Sequence, residues 1–153
     1  MEQVESRIHL RVIGRIRSPF VEAAGTPIQA AYAQGAGGQV MLDGQFSDAL
    51  DDIEGLERLW GLYWMDEAAG FRSRVTPYHN TQEHGLFATR SPCRPNPIGL
   101  SVLRLVRREG LVLHVADLDV LDGTPLLDIK PYVPRRIADG RFHESGVADR
   151  GRT

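Results

Sequence analysis

Polar side chains able to do chemistry are concentrated between Arg90 and Ser101, where the chain reads RSPCRPNPIGLS. Ser91, Arg94 and Asn96 each precede a proline, and proline fixes its own φ while pushing the residue before it toward extended backbone. Such a stretch is neither helix nor central strand. It is a pre-shaped loop that aims Arg90, Arg94 and Asn96 at low entropic cost, with guanidinium groups suited to carboxylates, phosphates or base edges. The plain alternative is a rigid turn with solvated arginines. Cys93 lies between Pro92 and Arg94, and no base can be named for it, so nucleophilic catalysis finds no support. A second cluster runs from Asp119 to Tyr132, DVLDGTPLLDIKPY. Turn chemistry accounts for Asp122 and Gly123 but less well for the stretch from Asp128 through Lys130 to Tyr132, and Asp119 adds a further polar group to this hairpin. A third is Asp66 and Glu67, directly after the aromatic run LERLWGLYWM. They are either a polar strand end or a carboxylate pair for a ligand hydroxyl or amine. His79 and His84 stand on a loop with no third ligand, a poor metal set, and His114 reads as a packed or half-exposed histidine.

The elements that must position these residues are short strands. Ile8 to Ile16 alternates up to Gly14, which predicts a strand with a bulge. Residues 21–39 read as a long loop, Gln39 to Leu42 as a strand, and Ser47 as the cap of a helical turn that closes at Gly55. Leu56 to Met65 is predicted to be a buried strand, Phe71 to Tyr78 a second, and Leu86 to Thr89 a short one entering the proline loop. Leu100 to Val106 resumes the sheet, Arg107 to Gly110 turns, and Leu111 to Leu121 and Leu126 to Ile129 follow as strands. Some seven sequential strands with tight turns predict an all-β fold, an antiparallel barrel or sandwich with long loops and a short helical turn. Residues from Pro134 onward lack periodicity and read as a tail.

Composition narrows the class. The chain has 153 residues, 42% of them hydrophobic and 25% charged, as in a soluble single domain. No run reaches the roughly 18 apolar residues of a membrane span, and MEQVESRIHL lacks the features of a signal peptide. One cysteine excludes an internal disulfide and any Cys-based zinc site. A cytoplasmic location is expected. Net charge is −2, but residues 72–136 carry 9 Arg and 1 Lys against 6 acids, whereas residues 1–71 carry 5 Arg against 11 acids. A basic second half fits a polyanionic partner. GxGxxG after a strand, a P-loop and GxSxG are all missing, so a Rossmann dinucleotide site is not expected.

RSPCRPNPIGLS, followed by DLDVLDGTPLLDIKPY, closely resembles the TsaA-like family, that of the TrmO enzymes. These methylate threonylcarbamoyl-adenosine in the tRNA anticodon loop with S-adenosylmethionine. IGRIRSPF and GLERLWGLYW also look like that family's opening and aromatic strands, so the resemblance covers residues 8–134. It implies a single-sheeted antiparallel β-barrel, working as a homodimer on tRNA without metal, with residues 1–136 as the methyltransferase domain and 137–153 as a tail. It implies a cofactor pocket of Gln29, Asp66, Glu67, Arg90, Leu100, Asp119, Val120, Leu121 and Asp122. Arg94, Asn96, Lys130 and Tyr132 are implied for the substrate, and no proton acceptor is identified. Two departures are visible. The family usually has His where this chain has Asp66, and enterobacterial members carry a further C-terminal domain with no counterpart here. A small-molecule methyltransferase and a non-catalytic nucleotide- or protein-binding barrel stay open as alternatives.

Overall fold

Alternating burial organises the aromatic run: Leu59, Gly61 and Tyr63 turn inward while Trp60, Leu62 and Trp64 stay half-buried. That is the two-residue period of a strand with one face on a core. The computed structural model describes residues 8–22 and 36–133, with the backbone of Arg135–Arg136 and Phe142–His143. Its strands are β1 (Gly14–Arg17), β2 (Gly38–Leu42), β3 (Arg58–Trp64), β4 (Arg74–Val75), β5 (His84–Gly85), β6 (Ile98–Glu109), β7 (Val112–Ala116), β8 (Pro125–Pro131), β9 (Arg135–Arg136) and β10 (Phe142–His143). Six of them form one antiparallel sheet in the order β1-β2-β7-β6-β3-β8, and β8 pairs back to β1 through Gly14 with Leu126 and Arg15 with Pro125. Every strand of that sheet therefore has two neighbours, which leaves it no open edge. The expected mostly-β chain with few helical turns is what forms.

The interior is filled by Ile16, Val40, Leu59, Leu103, Leu113, Val115 and Leu126, all at most 2% exposed. Leu50 and Ile53, from 3-10 turns at Asp48–Leu50 and Ile53–Gly55, join this core, as do Leu118 and Val120 from the segment after β7.

Several predicted boundaries are corrected. Strand geometry begins only at Gly14, and Gly14 marks a close approach, not a bulge: a Cβ there would stand 2.1 Å from the Met41 carbonyl oxygen. Ser47 makes no capping hydrogen bond, because it already has helical φ and ψ (−55° and −48°) at the junction of two 3-10 turns. Leu86 to Ala88 is a 3-10 turn instead of a strand, and Phe71 to Tyr78 contributes only Arg74–Val75. The expected turn at Arg107 is strand as far as Glu109, with Gly110 (φ +59°) making the reversal. The expected strand Leu111 to Leu121 stops at Ala116, since Asp117 adopts a left-handed φ of 62° that breaks the pleat. Predicted features within residues 23–35 and the tail lie outside the described residues, the backbone of β9 and β10 apart.

Gly99 explains the glycine of the proline loop. It sits directly opposite Tyr63 on β3, and a Cβ would lie 2.0 Å from the Tyr63 Cε2 atom. The ring lies over the bare backbone, so adding even a methyl group forces a buried aromatic out of place. Gly99→Ala should destabilise the fold by about 1–3 kcal/mol, as overpacking does, read from the urea midpoint; a midpoint equal to wild type would refute this packing account.

Candidate functional site at the mouth of the sheet

Strict antiparallel alternation decides where the long connections go. The C-terminal ends of β1, β3 and β7 and the N-terminal ends of β2, β6 and β8 open at one end of the sheet. The segments 18–37, 65–97 and 117–124 all leave from that mouth. Asp66, Glu67, Arg90, Arg94, Asn96 and the stretch Asp119 to Asp122 belong to these segments, and Leu100 stands two residues inside β6. Gln29 falls among residues 23–35, outside the described part. Lys130 and Tyr132 lie at the opposite end: Lys130 faces Trp60, and the Tyr132 N–H donates to the Arg58 carbonyl at 3.1 Å. Trp64 lies six residue steps along β3 from Arg58, about 20 Å at strand rise.

At the mouth the two polar clusters touch. The Ser101 hydroxyl donates to Asp119 Oδ1 at 2.5 Å and lies 2.8 Å from the Tyr63 hydroxyl, with all three residues buried. Buried polar groups are stable only when hydrogen-bonded, so this chain of hydroxyl, hydroxyl and carboxylate ties β3, β6 and the segment after β7 into one unit. Burial pushes the Tyr63 phenol up to about 12, and the Asp119 charge adds to that; the Ser101 hydrogen bond and the Arg90 charge pull the other way. Arg90 therefore stands close enough to act on Tyr63, and its Nη2 donates to the Leu100 carbonyl. Leu100 itself faces outward, 41% exposed, opposite Leu62. Val120 is core, and the Leu121 carbonyl accepts the Thr124 hydroxyl at 2.8 Å.

The rest of the proline loop holds itself. Arg94 Nη1 donates to the Thr89 carbonyl at 2.9 Å and to the Ser91 carbonyl at 3.3 Å, with its guanidinium 5.5 Å from the Phe87 ring centre. Asn96 is exposed, and its carbonyl accepts from Ile98 N at 2.7 Å. Met65 N donates to the Pro97 carbonyl at 2.7 Å, which sets the exposed Asp66 and Glu67 beside the loop. Asp122 accepts the Ser18 N–H at 3.0 Å and lies 3.7 Å from Arg17 Nη1, fixing the exit of β1. At the far end Lys130 pairs with Asp128 at 2.8 Å, and the buried Tyr132 packs edge-on against Trp60. His84 Nε2 lies 2.7 Å from Asn80 Nδ2, and His79 packs against Tyr78.

Sequence reasoning gave no role to Tyr63 or Ser101. Their signal is the inward phase of β3 and β6, which becomes a contact only once Gly61 faces Ser101 and Tyr63 faces Gly99. It also missed Asp117, which lies 3.7 Å from Arg58 and 3.4 Å from Arg104, two arginines directly opposite each other across β3 and β6.

A closed antiparallel sheet with an acid- and arginine-bearing mouth differs in class from the Rossmann-type nucleotide binders. Residues 15–137 match the family model of the tRNA-methyltransferase O N-terminal domain, and the chain belongs to that family. It is 51% identical over 124 residues to a probable S-adenosyl-L-methionine-binding protein of Pyrococcus abyssi, covering 81% of this chain and 67% of that one. It is 36% identical over 139 residues to the tRNA (adenine(37)-N6)-methyltransferase of Escherichia coli, covering 84% of this chain and 59% of that enzyme. The crystal structure of TrmO from Pseudomonas aeruginosa superposes with a TM-score of 0.74 at 38% identity, covering 94% of this chain and 64% of that one. The chain thus spans about three fifths of the last two relatives.

Two outcomes follow from the buried hydroxyl chain. Ser101→Ala removes the hydroxyl shared by the Tyr63 phenol and the Asp119 carboxylate and should cost about 1–3 kcal/mol in denaturant unfolding. Tyr63 also gives stability a pH signature. The unfolded phenol ionises near 10.0 and the folded one near 12, so between these values the unfolded state holds fewer protons. The contribution is whole below pH 10 and is lost as pH climbs to 12, about 2–3 kcal/mol in all. Tyr63→Phe should flatten that part of the stability profile; an unchanged slope would sink the assignment.

Proposed function

We propose that this chain is an S-adenosylmethionine-dependent methyltransferase that methylates the exocyclic amine of threonylcarbamoyl-adenosine in the tRNA anticodon loop. In this reading the closed sheet is the family's single-sheeted barrel, residues 1–136 are the methyltransferase domain and residues 137–153 a tail. The work is cytoplasmic, where tRNA is modified. The observation that carries the proposal is the meeting of the proline loop and the aspartate segment through Ser101 and Asp119.

The donor set suits the cofactor. A sulfonium, an ammonium and a ribose diol want carboxylates and carbonyl oxygens, and a carboxylate wants a guanidinium. Asp119, Asp66, Glu67 and the Leu100 and Leu121 carbonyls supply the first kind of group, and Arg90 the second. S-adenosylmethionine, when bound, provides an electrophilic methyl group with a neutral thioether as leaving group. The protein's part is alignment: holding the attacking nitrogen in line and excluding water can supply most of the rate without a strong base. Ser101 and Tyr63 keep Asp119 in one orientation, and the prolines keep Arg90 and Arg94 from swinging. Arg94 and Asn96 are the substrate-facing pair at this mouth. Lys130, exposed and about 13 Å along β3 from Trp64, fits a contact to a more distant part of the RNA, with Tyr132 behind it packed on Trp60.

The outer face of β3 and β6 supports a homodimer. Trp64 opposite Ile98, Leu62 opposite Leu100 and Trp60 opposite Val102 make a continuous half-exposed apolar strip beside the mouth. A second copy covering it would remove that strip from water.

Purified protein incubated with S-adenosylmethionine and tRNA bearing threonylcarbamoyl-adenosine should transfer one methyl group to that nucleoside, seen by mass spectrometry of the digest. Folded protein that transfers none overturns the proposal. Asp119→Asn should weaken S-adenosylmethionine binding about tenfold to a hundredfold in calorimetry, the loss of a hydrogen bond to a charged group.

A further inference from the structure

Cross-strand register builds a feature that no single segment contains. Arg17 of β1 faces Gln39 of β2, Gln39 faces His114 of β7, and His114 faces Arg107 of β6. The four form one row across four neighbouring strands on the outer surface. At the spacing of paired strands the row is about 14 Å long.

Beside it the surface dips into a shallow, open hollow. Gly37, Gly38 and Ala116 leave its lining without bulk, and a Cβ at Gly38 would stand 2.4 Å from both the Arg17 carbonyl oxygen and Leu118 Cδ2. Among the described residues its lining holds three arginines and one histidine and no Asp or Glu. Among the described residues, carboxylates stand at the rim. Glu109 accepts from Arg107 Nε at 3.1 Å and lies 3.0 Å from His114 Nε2, Asp117 holds Arg104 at 3.4 Å, and Asp122 is 3.7 Å from Arg17. Arg107 and Glu109 are 56% and 62% exposed, so their pair is worth at most about 1 kcal/mol and gives way to a polyanion.

We propose that this row and its hollow seat the sugar–phosphate backbone of the RNA substrate. The inference rests on reading the chain as a tRNA methyltransferase and adds where the RNA lies. Guanidinium, amide and imidazole groups in line give phosphate oxygens successive donors, and arginine takes them bidentately. Position supports the same occupant. Ser18, in the lining, gives its N–H to Asp122, so the hollow adjoins the mouth through a single hydrogen bond. A strand lying along the row is led to that mouth.

The test is binding of tRNA bearing threonylcarbamoyl-adenosine, by fluorescence anisotropy over a series of salt concentrations. Arg107→Gln should lower the slope of log affinity against log salt by about 0.7–0.9, one phosphate contact, while Arg107→Lys keeps it. The double variant Gln39→Glu/Arg107→Glu should lose tRNA affinity about tenfold or more at physiological salt. S-adenosylmethionine affinity, measured by calorimetry on the same variants, should match wild type, which also shows that they fold. A wild-type chain that binds tRNA with a salt slope the Arg107 variants leave unchanged overturns the seat alone. A wild-type chain that neither binds nor methylates tRNA overturns the seat and the function together.

Discussion

A carboxylate out of water must be hydrogen-bonded, and at Asp119 that requirement is met by a serine hydroxyl from another strand. The rest of the mouth follows from this contact. Ser101 reaches Asp119 because it ends the proline segment, and it is oriented by Tyr63 from β3. Tyr63 in turn lies where it does because Gly99 has no side chain. Three pieces of chain far apart in sequence are thus fixed to one another by two hydroxyls and a missing methyl group.

Antiparallel pairing supplies the second constraint. With six strands alternating in direction around a closed sheet, successive connections must fall at alternate ends. The link 43–57 with its 3-10 turns and the tight reversal at Gly110 sit at one end, and the segments 18–37, 65–97 and 117–124 at the other. That is why residues spread from 66 to 122 can share a mouth without any helix to present them. The same rule puts Lys130 and Tyr132 at the far end, although both lie in the motif that carries Asp119.

Rigidity and charge are divided between regions. The proline loop consumes much of its own polar capacity: Arg94 ties down two carbonyls and Arg90 a third. Those contacts preorganise the loop, which suits a reaction governed by alignment. Further cations stand on the strands, in the row from Arg17 to Arg107, where each arginine has a carboxylate neighbour. A mildly acidic chain can in this way present a basic surface where a polyanion is to bind.

The strand-rich class, the aromatic central strand, the stiff arginine loop and the Asp-Gly turn were legible from residue order, because each depends on local rules: period-two hydrophobicity, fixed proline φ, and the left-handed φ that glycine tolerates at 123. Strand ends were less legible. Asp117 breaks an apolar run that propensity alone would continue, and Gly14 serves a close approach that only its neighbour Met41 reveals. What residue order determined was therefore which groups the chain has to offer and how stiffly each is held. Which of them meet was decided by register alone. A hydrogen bond between positions 101 and 119, or a row joining 17, 39, 114 and 107, exists only after strands distant in sequence pair at one spacing, and a slip of one residue would turn each of those side chains to the other face.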